Sequence, residues 1–402
     1  MKTIPLHSLV LMIGTSKLKE QELLEYFDES EIVSRNKVSE SLFGDSDRHV
    51  FADSINYEVF RLINLKLSFG ERVVVVDNNL SYSKRMNICN IAKKYGVPIY
   101  YIIHHDNSRF ADKNKVETFV ENEKYILSGD GVANVVDTRI VGIKPIKKFS
   151  KNIFEDIKRR GFSGITVAGD IHGNMDALKE SMDWALKRNM IYLQLGDLVD
   201  YGPNSLECVS ILHDKIVRGQ ALYVIGNHDR KIEKWLAQEN NIKRNKEYLK
   251  YNNPVSLSDS NRDTVNKILS LSEMDRKIFE TKFNTIMNYG KYHYNIKNFS
   301  FAHAGFDNDM FSIDTDRMYG RYESVCLYGE SNGNSWIDNI KSNKTIVVGH
   351  TIKNKIIPEK YSIDGGGTVI FQDTGSGKGG FLTTTDIIIK NDLLEIQNSN
   401  RW

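Results

Sequence analysis

The chain has 402 residues, 40% of them apolar and 26% charged, with a formal net charge of +2. That is length enough for two globular domains, and a charge too near neutral for a protein built around nucleic-acid binding, so any basic surface must be local. Cys89, Cys208 and Cys326 stand far apart without CxxC pairing, which argues against a disulfide framework or zinc knuckle and fits a reducing cytoplasm with each thiol buried as a small apolar group. No stretch approaches the ~20 apolar residues of a membrane span, and the N-terminus lacks a signal-peptide pattern.

In chain order, Leu9–Ile13 reads as a strand, Lys19 to Phe27 as a helix, and Arg72–Val76 as a strand whose continuous valines suit a parallel sheet covered on both faces. Ser83–Tyr95 has helical spacing, stopped by Gly96 with Pro98 beyond, and Ile99–Ile103 is a further strand. This alternation is βαβ and implies a parallel sheet over residues 1–145. Lys144 to Gly161 is basic in the manner of a solvated face; residues 146–163 read as a linker with a helix leading into a second α/β domain, 164–402. There, strands at Ile165–Ala168, Ile191–Leu195, Leu222–Ile225, Phe299–Ala302 and Thr345–Val348 are interrupted by a polar helical insertion, about 231–290, with a helix over Ser272–Ile286. Glycine-rich turns follow at 365–367 and 375–380. Gly375-Ser376-Gly377-Lys378 lacks P-loop spacing and leads into a strand, so it is not read as a nucleotide site.

Five motifs each follow an apolar strand: Gly169-Asp170-Ile171-His172-Gly173-Asn174, Gly196-Asp197-Leu198-Val199-Asp200-Tyr201-Gly202, Gly226-Asn227-His228-Asp229, Ala302-His303-Ala304-Gly305 and Gly349-His350-Thr351. Ligands of α/β sheets gather at the carboxyl ends of strands, so five strand ends deliver carboxylates, an amide and imidazoles to one cleft. The set suits two divalent cations about 3.5–4 Å apart, which clamp a phosphate and acidify a water. Without thiolates, manganese leads the expected metals, with iron, zinc, nickel or magnesium as alternatives.

These motifs resemble the calcineurin-like metallophosphoesterases, in the phosphoprotein-phosphatase branch and its bacterial and phage relatives. The resemblance implies a four-layer α/β/β/α sandwich. It also implies that Asp170 and His172 hold a first metal, that Asp197 bridges, and that Asn227, His303 and His350 hold a second. By the same resemblance His228 is a general acid oriented by Asp200, and Asn174 contacts phosphate or supports the metal ligands. Protein phosphatases of the family carry Arg where this chain has Tyr201, so the phosphate clamp must come from elsewhere; Arg230, Arg317 and Arg321 are the candidates.

A second resemblance covers nearly the whole chain. Val33-Ser34-Arg35-Asn36-Lys37-Val38, Leu42-Phe43-Gly44-Asp45, Val76-Asp77-Asn78-Asn79-Leu80 with Arg85, Leu327-Tyr328-Gly329-Glu330 and Asp373-Thr374-Gly375 are similar to segments of bacterial and phage polynucleotide kinase-phosphatases. The kinase part is degenerate. In the P-loop layout after Gly14, Lys19, Glu20 and Gln21 replace the glycine, lysine and hydroxyl residue that cradle phosphate and Mg²⁺, and Asn36 cannot act as a base. The expectation is an inactive P-loop-kinase-like domain fused to a phosphatase for nucleic-acid ends, 3′-phosphate or 2′,3′-cyclic phosphate. The alternatives are a Ser/Thr phosphoprotein phosphatase, a nucleotide phosphohydrolase, and a nucleic-acid or partner-binding adaptor. The expected partners are a phosphorylated nucleic acid or phosphoprotein and no membrane; oligomeric state is left open.

Overall fold

Runs of β-branched residues organise the first sheet, because strands covered on both faces need no polar alternation. The computed structural model describes residues 1–13, 23–44, 51–77, 79, 81–103, 134–137, 142–244, 253–313, 321–331 and 334–402, which divide into two units, Met1–Lys148 and Phe149–Trp402. In the first unit, strands Ile32–Ser34, Val73–Val76, Leu9–Ile13, Ile99–Ile103 and Asn134–Asp137 lie side by side in that order, all parallel. Successive residues feed opposite cores: Leu9, Leu11, Val73 and Val75 join one, Val10, Met12, Val74 and Val76 the other. Helices Ala52–Ser68 and Tyr82–Lys94 cover the first of these faces through Ile55, Val59, Ile63, Ile88 and Ala92. The expected P-loop segment with Gly14, Lys19, Glu20 and Gln21, the first four residues of the helix expected over Lys19 to Phe27, and Asp45, Asn78 and Leu80 lie outside the described residues. Arg85 is buried and donates to the carbonyl of Asn79.

One ion pair sits inside this unit. Arg72, 1% exposed, donates through Nη2 to both oxygens of Glu31 at 2.8 and 2.9 Å, and through Nη1 to the carbonyls of Ile4 and Ile146. Breaking a buried pair strands a charge without water, so Glu31→Gln is expected to destabilise the unit by about 3 kcal/mol. Urea unfolding followed by hydrogen exchange on Val73–Val76 measures this; an unchanged midpoint would show the pair to be neutral.

The second unit holds two five-stranded sheets. One runs Ala221–Tyr223, Met190–Gln194, Gly164–Ala168, Thr383–Lys390, Leu393–Arg401; the other runs His293–Ile296, Phe299–Ala302, Thr345–Val348, Thr368–Phe371, Glu359–Ser362. In the first, the three strands from Ala221–Tyr223 to Gly164–Ala168 are parallel and the last two pairings antiparallel; the second has a parallel centre flanked by an antiparallel strand on each side. Ile165, Val167, Ile191 and Leu193 of the first share a core with Phe299, Phe301, Val347 and Ile370 of the second, so the sheets face each other as a sandwich. Helices Met175–Lys187 and Ser205–Val217 pack on the outward face of the first sheet. The short helix Arg321–Tyr328 buries Val325, Cys326 and Leu327 in the core that also takes Ile346 and Val348.

The insertion comprises helices Asn227–Arg244, Asp259–Ser270 and Glu273–Tyr289, the last capped by Ser272, whose Oγ accepts from the Asp275 N–H at 3.1 Å. Its first helix begins at Asn227, four residues earlier than expected, because the chain turns at Gly226 straight into helical backbone. Helix Ile153–Arg159 occupies the expected linker. All three cysteines are buried. No helix among the described residues is long and apolar enough to cross a membrane.

Candidate active site

Each motif turns the chain sharply at a strand end, and the backbone carries strain there. His172, Asp197, Asp200, Tyr201 and His350 all have positive φ, between 47° and 75°. Left-handed non-glycine residues are uncommon and costly, and they collect where surrounding structure holds them for function. Gly226 shows how tight the packing is: a Cβ there would stand 2.3 Å from Asp197 Oδ1.

Two groups of ligand atoms result. In the first, His172 Nε2 lies 3.7 Å from Asp170 Oδ2 and 3.6 Å from Asp197 Oδ2. All three atoms are buried without a hydrogen-bond partner in the protein. His172 Nδ1 donates to the Val199 carbonyl at 3.0 Å, which leaves a lone pair on Nε2. In the second group, Asn227 Oδ1 lies 2.9 Å from His303 Nε2 and 3.1 Å from His350 Nδ1, and His303 Nε2 lies 3.4 Å from Asp197 Oδ1. Sets of His and Asp ligand atoms close enough to share an ion are His172, Asp197 and His228, and Asp197, His303 and His350; Asp197 belongs to both. Orphaned buried acceptors around a shared carboxylate are the donor set a pair of divalent cations requires.

The electrostatics agree. Burial and the neighbouring Asp373 push the Asp170 carboxyl well above its usual range. Burial opposes charge on Asp197 too, but the imidazoles of His303, His228 and His172 outweigh it and hold that carboxyl well below. Burial would also keep His303 neutral, yet Asp197 and Asp170 lift it to about 10. The carboxylates demand positive charge at this point, from protons or from cations.

Beside the first group, His228 Nδ1 lies 2.6 Å from Asp200 Oδ2, with Nε2 turned toward Asp197 Oδ2 at 3.9 Å. Burial would lower the His228 pKa, but the carboxylates of Asp197 and Asp200 raise it. Asp200 is itself clamped from the insertion: Thr264 Oγ1 donates to Oδ1 at 2.5 Å and Asn261 Nδ2 donates to Oδ2. The Asn261 oxygen accepts from the Ser258 N–H at the start of the same helix, which fixes the amide's orientation. Below, Asp229 accepts from the Leu198 N–H and from Tyr223 Oη, bracing the bend that carries Asp197.

The expected phosphate contacts fare differently. Asn174 caps helix Met175–Lys187, accepting from the Ala177 N–H, and donates to Ser376 Oγ, so its amide supports the fold rather than facing a ligand. Arg230 is set between Glu323 at 3.0 Å and Glu233, its charge already balanced. Arg317 lies outside the described residues and Arg321 opens its helix. Tyr201 is 52% exposed, its ring 4.7 Å from that of His172 and 5.3 Å from that of His228. Sequence reasoning missed Asn261 and Thr264, which lie in the insertion read only as polar and helical, and set Lys378 aside with its glycine-rich turn.

The calcineurin-like phosphoesterase family model matches residues 164–368. Bis(5'-nucleosyl)-tetraphosphatase PrpE [asymmetrical] of Halalkalibacterium halodurans is 25% identical over 224 residues, covering 50% of this chain and 84% of that protein. Its counterpart from Bacillus mycoides is 24% identical over 242 residues, covering 54% and 87%. Among solved structures, the cold-active protein-tyrosine phosphatase of a psychrophilic Shewanella species is similar at 15% identity over 59% of this chain and 80% of that one, with a TM-score of 0.35. The family match spans just over half of the sequence and contains all five motifs, and the chain belongs to the calcineurin-like phosphoesterases, a family of metal-dependent hydrolases.

Proposed function

We propose that the second unit is a two-metal phosphatase acting on terminal phosphates of nucleic acids, 3′-phosphate or 2′,3′-cyclic phosphate. The observation that carries the chemistry is the pair of ligand groups sharing Asp197 beside the Asp200–His228 pair. Asp170, His172 and Asp197 would hold one cation, and Asp197, Asn227, His303 and His350 the other; manganese suits this mixed oxygen and nitrogen set. Bound there, the cations supply Lewis acidity and orient the phosphoryl group. The protein's own part is to bury the carboxylates, to fix the tautomers of His172 and His303 through the carbonyls of Val199 and Leu195 and that of His228 through Asp200, and to hold a proton on His228 for the departing oxygen. The half-exposed Tyr201 ring beside His228 offers a face on which a base can stack, which favours nucleotide leaving groups over phosphopeptides. The all-parallel first sheet, with Leu9–Ile13 central and its carboxyl end at a switch point, supports a kinase-derived domain for the first unit.

A second reading, cleavage of dinucleoside tetraphosphates, is favoured by the names of the two tetraphosphatases. Rates with Mn²⁺ on 3′-phosphorylated RNA, 2′,3′-cyclic phosphate, diadenosine tetraphosphate and a phosphopeptide separate these. We expect the nucleic-acid ends to lead; no turnover above an Asp170→Asn control would defeat both readings.

A further inference from the structure

Tyr201 stands where the protein phosphatases that this chain resembles carry an arginine, and Arg230 is held between two glutamates, so the reading above leaves the site without a phosphate clamp. The glycine-rich turn that precedes strand Thr383–Lys390 sits against the same site. Ser376 Oγ donates to the Ile171 carbonyl at 3.1 Å and accepts from Asn174. Gly377, at φ +71°, lies so close that a Cβ would stand 2.4 Å from the His172 carbonyl oxygen and 2.6 Å from its Cβ. Gly375 and Gly379 also take positive φ, and Asp373 Oδ1 accepts from the Gly375 N–H at 2.8 Å. The turn is pinned to the motif that carries Asp170 and His172.

This anchoring sets where Lys378 stands. Its Nζ lies 4.6 Å from the centroid of the Tyr201 ring, and that ring lies against His172 and His228. Among the described residues no carboxylate forms an ion pair with Lys378, whereas Arg230 is held between Glu323 and Glu233.

We propose that Lys378 binds the dianionic phosphoryl group of the substrate, standing in from the opposite loop for the arginine that Tyr201 displaces. The aromatic face beneath the ammonium directs it without neutralising it. A lysine supplies a point charge where an arginine would supply a planar fork, so the site should favour oxygens that are dianionic over those that merely fit. The inference rests on the two-metal reading for its substrate, but binding of phosphate tests it separately.

The test uses the full chain loaded with Mn²⁺, its cation content per chain measured, as wild type, Lys378→Gln and Lys378→Arg. The probes are 4-nitrophenyl phosphate, bis(4-nitrophenyl) phosphate and inorganic phosphate. Lys378→Gln should raise both the KM for the monoester and the dissociation constant of inorganic phosphate about tenfold to a hundredfold. Lys378→Arg should restore both to within roughly threefold, and the singly charged diester should lose much less. A Lys378→Gln protein with full cation content that binds inorganic phosphate as tightly as the wild type overturns the proposal. Should the wild type bind phosphate but turn over nothing, the proposed activity fails, and the calorimetric comparison of wild type with Lys378→Gln still decides the role of Lys378.

Discussion

Asp197→Asn should cost at least about a thousandfold in turnover, the size expected when Lewis-acid stabilisation of the phosphoryl group is lost. The reason is the division of labour between its two oxygens. Oδ1 accepts the His228 N–H at 3.0 Å and faces His303 Nε2 at 3.4 Å, while Oδ2 faces His172 Nε2 at 3.6 Å. An amide preserves the shape but removes the charge and turns one oxygen into a donor. If that NH₂ group faces His172, it donates to the Nε2 lone pair, which is free because the ring's proton sits on Nδ1 and goes to the Val199 carbonyl, and so it takes up an atom that a cation needs. The fold should therefore survive while cation content falls from two per chain. Wild-type cation content with turnover within tenfold of the wild type would show that Asp197 does not join the two groups.

What the sequence revealed and what it hid divide along a physical line. The residues of the two candidate ligand groups were legible because each belongs to a short motif at the end of an apolar strand, and strand ends of parallel sheets converge whatever the details. The strands themselves were legible because Val73–Val76 or Phe299–Ala302 must be buried on both faces. The start of helix Asn227–Arg244 was not, since its first residues carry ligand atoms and read as loop. The pairing of Arg72 with Glu31 was not legible either, since nothing local marks a pair 41 residues apart as buried. Asn261 and Thr264 lie 61 and 64 residues from Asp200, in a stretch that read only as a polar helical insertion, and nothing local says what a helix's buried face will touch. Lys378 was judged against P-loop spacing, which it fails; its setting depends on glycine conformations that only the fold displays.

That clamp gives the sharpest test of proton donation. His228→Asn should lower kcat on alkyl phosphates by roughly a hundredfold to ten-thousandfold, the range of general acid catalysis, and far less on 4-nitrophenyl phosphate, whose leaving group departs without a proton. Thr264→Val keeps the side chain's shape but removes a donor from Asp200 Oδ1, leaving that buried oxygen unpaired. Asp200 then holds His228 less firmly, and about tenfold should be lost on alkyl esters through a group that touches no substrate. The same variant should leave the 4-nitrophenyl ester rate and the cation content nearly unchanged, a split that general loosening of the fold would not produce. Restoring the hydroxyl as Thr264→Ser should recover most of the alkyl-ester rate. Equal losses on both esters would sink the donor role of His228, and a Thr264→Val enzyme indistinguishable from wild type on alkyl esters would reduce the insertion to packing. The expected split instead makes helix Asp259–Ser270 of the insertion part of the chemistry: it holds the carboxylate that holds the imidazole, from a stretch of chain whose residues carry no motif of their own.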